Sequence, residues 1–111
     1  MVKSQVLDRT LSALADPTRR DILERLSRGP ASISDLATPL RISLPGVMKH
    51  IRILEEADLV KTRKNGRTRE CTLGPANLDD ASEWIDSYRR RWERRLDRLE
   101  SYIAKNKGGK R

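Results

Sequence analysis

The stretch Ser43-Leu-Pro-Gly-Val-Met-Lys-His-Ile-Arg-Ile-Leu-Glu-Glu-Ala-Asp-Leu-Val60 opens with a helix start signal and closes where the pattern turns to strand. A serine oxygen caps free N–H groups of a first helical turn and Pro45 needs no donor there, so Ser43 before Leu44 and Pro45 marks an N-terminus. Val47, Ile51 and Leu54 recur at intervals of four and three as one apolar face, while Gly46, Lys49 and Arg52 fall on the other. Upstream, a brief link through Arg41 and Ile42 leads back to a shorter helix. Ser32-Ile-Ser-Asp35 reads as a capping-box variant, and Ile33, Leu36, Ala37 and Leu40 follow helical periodicity. Helix, short turn, helix is a helix-turn-helix layout.

Further upstream, Ala15-Asp-Pro-Thr-Arg-Arg-Asp-Ile-Leu23 repeats the start signal with Asp16 before Pro17. The helix expected there runs from Pro17 to about Ser27 on Ile22, Leu23 and Leu26, and Arg28-Gly29-Pro30 stops it. An earlier helix, from Lys3 to Ala15, presents Val6, Leu7, Leu11 and Leu14. Arg19 and Arg20 stand in a first helical turn, where the dipole disfavours cations. Arg20 pairing with Asp16 or Glu24 gives a structural role, and a phosphate would serve either arginine.

Downstream of Leu59 a strand begins, and Asn65-Gly66 signals a tight hairpin with both turn positions at positive φ. That turn sets Lys64 against Arg67, Arg63 against Thr68, Thr62 against Arg69, Lys61 against Glu70 and Val60 against Cys71. Like charges opposed across a hairpin are destabilising, so the basic tip of Arg63, Lys64, Arg67 and Arg69 is suited to a compensating anion such as a phosphate backbone. Gly74-Pro75 then precedes a last helix, from about Leu78 or Asp79 to Lys105. Its stripe of Ala81, Ile85, Tyr88, Trp92, Leu96, Leu99 and Ile103 has a mean step of about 3.7 residues, the period of a nearly straight helix. Such a helix, roughly 40 Å long, exceeds what the preceding core can cover, and its stripe is expected to meet its own copy in a homodimer. Folding back over its own domain is the alternative.

The chain has 111 residues and a formal net charge of +8, which suits a polyanionic partner, although acidic membranes and acidic proteins feel the same field. No apolar run is long enough to span a membrane, and Met1 to Asp8 lack the centre and cleavage site of a signal peptide, so a cytoplasmic protein is expected. The one cysteine, Cys71, cannot form an internal disulfide and reads as a small buried residue rather than a redox switch. One histidine and one cysteine, with no nucleophile elbow and no phosphate-binding glycine loop, leave no constellation for catalysis, so no enzyme and no cofactor are expected.

Taken together, Leu14 to Leu23, Ser43 to Val60 with its Lys49-His50 pair, and Asn65-Gly66-Arg67 resemble the ArsR-type winged-helix transcriptional regulators, over about Leu11 to Leu73. The resemblance implies a fold that is mainly α with a small β-hairpin, in the order α-α-α-α-β-β-α. It further implies a dimer in which the helix beginning at Ser43 enters the major groove and the hairpin lies over the backbone. Arsenic- and cadmium-type sites on the third helix map to around Ser32 and Ser34, and zinc-type sites on the last helix need histidines that this chain lacks from Asp79 onward. Serine is a poor soft-metal ligand, so a regulator without bound metal is expected and its effector is not visible.

The DNA-contacting set is therefore Ser43, Leu44, Gly46, Lys49, His50 and Arg52 on the helix, with Arg63, Lys64, Arg67 and Arg69 on the hairpin. His50 either reads DNA or is packed; Gly46 marks close approach to a groove wall or to another helix. Residues 1–104 are expected to form one domain whose N- and C-terminal helices make the dimer interface, ahead of a disordered basic tail, 105–111. The function expected is a dimeric repressor bound to double-stranded operator DNA, the alternative being a protein-interaction module of the same fold.

Overall fold

The computed structural model describes residues 3–75 and 78–109. The chain divides into two compact units, residues 1–78 and 79–111. The first carries α1 (Lys3–Leu14), α2 (Pro17–Leu26), β1 (Ala31–Ser32), α3 (Ile33–Leu40), α4 (Leu44–Glu56), β2 (Val60–Asn65) and β3 (Thr68–Leu73), and the second is α5 (Asp79–Gly109).

Local chemistry sets the helix starts where the sequence places them. The Asp16 carboxylate accepts the Arg19 N–H at 3.0 Å, the Ser32 hydroxyl accepts that of Asp35 at 3.0 Å, and the Ser43 hydroxyl accepts that of Gly46 at 3.1 Å. The Asp35 carboxylate also accepts the Ser32 N–H, completing the capping box. Between α3 and α4, Arg41 adopts the left-handed conformation, φ 57° and ψ 39°, and the Ile42 N–H reaches back to the Ala37 carbonyl at 3.4 Å. A non-glycine residue in this region is disfavoured, so the turn depends on the helices on either side.

One core joins these helices to the sheet: Ala13, Ile22, Leu26, Leu36, Ala37, Val47, Ile51 and Leu54 with Ala31, Leu59, Val60 and Cys71. The inward face expected of α4 is buried as such. On α1 the expectation is displaced, because Thr10 and Ala13 are buried while Leu7 and Leu11 are half-buried and Val6 is exposed. Small residues allow α1 to lie close to α2 and α4, against which it packs, and Leu14 adds a half-buried contact with the same core.

The sheet contains a strand that the sequence did not suggest. β1 pairs antiparallel with β3, giving the order β1-β3-β2, with Ala31 opposite Cys71 and Ser32 opposite Glu70. Two residues are too few to show alternation, and Ser32 already carried a helix-start signal.

Gly74 is required by a close approach of backbone, not by a hinge. Its N–H donates to the Leu59 carbonyl at 2.8 Å, and a Cβ there collides with the Asp58 carbonyl and comes within 2.9 Å of the Val60 nitrogen. Asp58 is itself left-handed, φ 59°, so the strand end is wedged into the corner where α4 becomes β2.

Within the second unit, α5 carries Asp79 and Asp80 in its first turn, favourable to the helix dipole. It continues to Gly109, past the 105 boundary expected for a disordered tail; residues 110–111 lie outside the described part. Ala81 is 5% exposed, whereas Ile85, Tyr88, Trp92, Leu96, Leu99 and Ile103 each remain about half exposed. Trp84 stacks on Tyr88 at 5.3 Å, and Tyr88 meets Trp92 edge-on at 6.1 Å.

Gly74→Ala should lower stability by about 1–3 kcal/mol, the cost of forcing extra atoms into filled space. Urea unfolding checks it; an unchanged midpoint would contradict the close approach.

Candidate nucleic-acid interface

Burying Val47, Ile51 and Leu54 leaves the opposite face of α4 to solvent. Leu44 and Met48 stay 48% and 46% exposed, and Lys49 and Arg52 are exposed beside them. Met48 was not among the expected DNA-facing residues, although its spacing of four from Leu44, off the buried face, was available as a signal. Ser43 is exposed while its hydroxyl caps the helix. At Gly46 a Cβ meets only the Ser43 hydroxyl at 3.2 Å and the Ile42 Cβ at 3.9 Å, so no other helix explains this glycine; the cap itself makes the position tight.

His50 turns inward. Its side chain is 24% exposed, with Nδ1 lying 3.4 Å from an Arg19 guanidinium nitrogen and 3.9 Å from the Asp16 carboxylate. The Arg19 backbone N–H holds the Asp16 carboxyl below its ordinary range, outweighing partial desolvation, and the charges of His50 and Arg19 add to the effect. Arg19 also donates to the Ala13 carbonyl at 2.8 Å and the Ser12 carbonyl at 3.0 Å, and Arg20 donates to the Leu14 carbonyl at 2.7 Å. The structural role expected of Arg20 is present, but its partner is a backbone carbonyl and neither Asp16 nor Glu24. Both arginines sit where the last carbonyls of α1 favour a cation, which offsets their unfavourable place at the start of α2.

The hairpin register differs from the expected one. Asn65 pairs with Thr68, Lys64 with Arg69, Arg63 with Glu70, Thr62 with Cys71, Lys61 with Thr72 and Val60 with Leu73. Gly66 and Arg67 are thus the turn residues, and only Gly66 has positive φ, 67°, which suits a turn needing glycine at its first central position rather than the mirror-image turn of Asn-Gly. The slip moves every partner by two residues and keeps each side chain on its own face, so hydrophobic alternation cannot detect it. Its consequence is electrostatic. Arg63 lies 3.8 Å from the Glu70 carboxylate, an exposed and therefore weak pair, while Lys64 faces Arg69 and Arg67 stands exposed in the turn.

Near its base the hairpin is tied to α4. The Thr62 hydroxyl donates to the Glu55 carboxylate at 2.8 Å and accepts from Arg69 Nε at 3.2 Å. Arg52 and Arg69 border the same recess above Ile33, Met48 and Ile51. The sequence concealed this link, since its three members lie on three elements.

A helix whose outer face is cationic, preceded by a short capped helix and followed by a basic hairpin, is a DNA-binding arrangement. The family model of a helix-turn-helix domain matches residues 14–63. The HTH-type transcriptional regulator Rv2034 of Mycobacterium tuberculosis is 40% identical over 89 residues, covering 80% of each chain. The chain belongs to the ArsR-type winged-helix transcriptional regulators. It is a DNA-binding regulator, with β2 and β3 as its wing, and its relatives are regulators rather than enzymes. The transcriptional repressor SdpR of Bacillus subtilis is 30% identical over 71% of this chain and 88% of its own. The crystal structure of the ArsR family transcriptional regulator RHA00566 matches with a TM-score of 0.74 at 42% identity, covering 81% of this chain and 93% of that one.

Among the described residues, no group of three or more histidines, cysteines and carboxylates is placed to hold a metal ion, and no helix is long and apolar enough to cross a membrane. Cys71 is fully buried under β1 and β2 partners, and burial, helped by the Glu55 charge, pushes its thiol up to about 11. Because the folded state favours the neutral thiol, its contribution is intact below the ordinary thiol value of 9.0 and is lost as pH rises towards about 11.

The stability advantage of the wild type over Cys71→Ala, measured by urea unfolding, should therefore shrink between pH 9 and 11. A difference that stays constant across that window would contradict the buried neutral thiol.

Proposed function

We propose that two copies of this chain form a repressor that occupies operator DNA, with α4 in the major groove and the wing over the phosphate backbone. The observation that carries this is the two-sidedness of α4: Val47, Ile51 and Leu54 are buried, and Leu44, Met48, Lys49 and Arg52 are presented outward. Lys49 and Arg52 supply donors for base edges, and Leu44 and Met48 supply apolar surface for thymine methyl groups. Ser43 and Gly46 bring the helix start close to the backbone, and Arg63, Lys64, Arg67 and Arg69 bind phosphate. His50 is left off this set because its ring is turned to Arg19 and Asp16.

The half-exposed stripe of α5 supports the dimer. An apolar face of that extent favours association, and the seam begins at Ile85, since Ala81 is already buried in the single chain. The repressor SdpR supports repression over activation by its likeness. Action in the cytoplasm without a bound metal completes the proposal.

Footprinting on the DNA upstream of the gene should give a discrete protected palindrome with half-sites about 10 base pairs apart or a multiple of that. On that site Lys49→Ala should cost about 1–3 kcal/mol per half-site and spare weak binding to scrambled DNA. Arg67→Ala should weaken both DNAs alike and lower the salt slope by about 0.9 for each phosphate no longer neutralised. Uniform losses from both variants would reduce Lys49 to a phosphate ligand.

Trp92→Glu places an uncompensated charge in the seam and should yield monomers that have lost operator affinity. Sedimentation velocity decides it, and a variant that remains dimeric removes the α5 seam.

A further inference from the structure

All three nitrogens of the Arg19 guanidinium are engaged. Nε donates to the Ala13 carbonyl at 2.8 Å, Nη2 to the Ser12 carbonyl at 3.0 Å, and Nη1 lies 3.4 Å from His50 Nδ1. Its backbone N–H is held by the Asp16 cap of α2. One residue thus ties together the carbonyl end of α1, the first turn of α2 and the middle of α4. The apolar packing of Val47, Ile51 and Leu54 decides which side of α4 faces inward, but it is non-directional and tolerates rotation about the helix axis. A hydrogen bond to a ring nitrogen does not.

We propose that Arg19 and His50 form a staple that sets the rotation of α4 against the corner of α1 and α2, making His50 a positioning residue for DNA recognition that does not touch DNA. The proposal rests on base reading by α4. A rotation of roughly 15° carries a side-chain tip on a helix of about 6 Å radius some 1.5 Å, several times the tolerance of a hydrogen bond to a base edge. The chemistry of the pair fixes the ring as well. Guanidinium has donors only, so Nδ1 must be the acceptor and the neutral ring carries its proton on Nε2. The Asp16 carboxylate, 3.9 Å from Nδ1, is too distant for a hydrogen bond that would reverse this choice.

The chain has a single histidine, so its ring nitrogens give one unambiguous pair of NMR signals. In the DNA-free protein at alkaline pH, their 15N shifts should report the Nε2–H form, and Arg19→Lys should give a mixture of the two forms. An Nδ1–H ring or mixed forms in the wild type overturns the staple, whatever the protein does with DNA. On operator and scrambled DNA, His50→Leu and Arg19→Lys should each cut the preference for operator roughly tenfold, and the double variant should lose no more than either one. His50→Asn, whose Oδ1 stands where Nδ1 stood, should restore the preference to within about twofold, a rescue that a purely volume-filling residue does not predict. The salt slope should not change, because every phosphate keeps its cation. Additive losses, a lowered slope, or failure of His50→Asn to rescue overturns the proposal. Absence of any operator preference in the wild type defeats base reading by α4 instead, and the ring signals still judge the staple.

Discussion

Three aliphatic side chains, Val47, Ile51 and Leu54, occupy one side of a thirteen-residue helix, and their removal from water determines the orientation of everything else on it. Fully burying such a side chain contributes about 1.5–3 kcal/mol. Turning α4 over would forfeit that for all three and drive Lys49 and Arg52 into an apolar core. The cationic face therefore points outward as a consequence of burial. The core beneath is built from the same few elements: α2 and α3 contribute Ile22, Leu26, Leu36 and Ala37, and the sheet contributes Val60 and Cys71.

Features governed by neighbours in sequence were legible from the sequence. The caps at Asp16, Ser32 and Ser43 each bond an N–H three residues on, so the start of each helix is written within four residues. The apolar face of α4 and the stripe of α5 follow one helical period. Features governed by distant partners were not legible. Arg19 meets His50 across thirty-one positions, and no local rule anticipates a cation in a first helical turn that belongs to the carbonyls of the preceding helix. The hairpin register was hidden for a different reason, because turns at Asn65-Gly66 and Gly66-Arg67 bury the same side chains and differ only in which charges oppose one another.

The two units differ in how far they satisfy themselves. In the first, the large apolar residues of α2 to α4 are mostly covered and no buried polar side-chain atom among the described residues lacks a partner. In the second, one helix of 31 residues holds Trp84, Tyr88 and Trp92 against one another, leaving each about half exposed, and Tyr102 is more exposed still. Stacked aromatic rings on a lone helix conceal only part of their surface. The balance of apolar area is thus favourable for the first unit and open for the second, which is where association has most to gain.

Arg41 bears on how the first unit comes apart. A left-handed arginine is disfavoured in a free chain by roughly 1–2 kcal/mol, and it is retained here only while α3 and α4 are both docked on the core. Peeling α3 away would release the turn to a more comfortable conformation, so the turn gains no independent persistence once either neighbour leaves. The short α3, eight residues with Pro39 in its last turn, has little stability of its own to supply. Opening of this region is therefore expected to be a collective event in which α3, the turn and the start of α4 exchange their amide hydrogens together, as one cooperative unit rather than as a fraying helix beside an intact one.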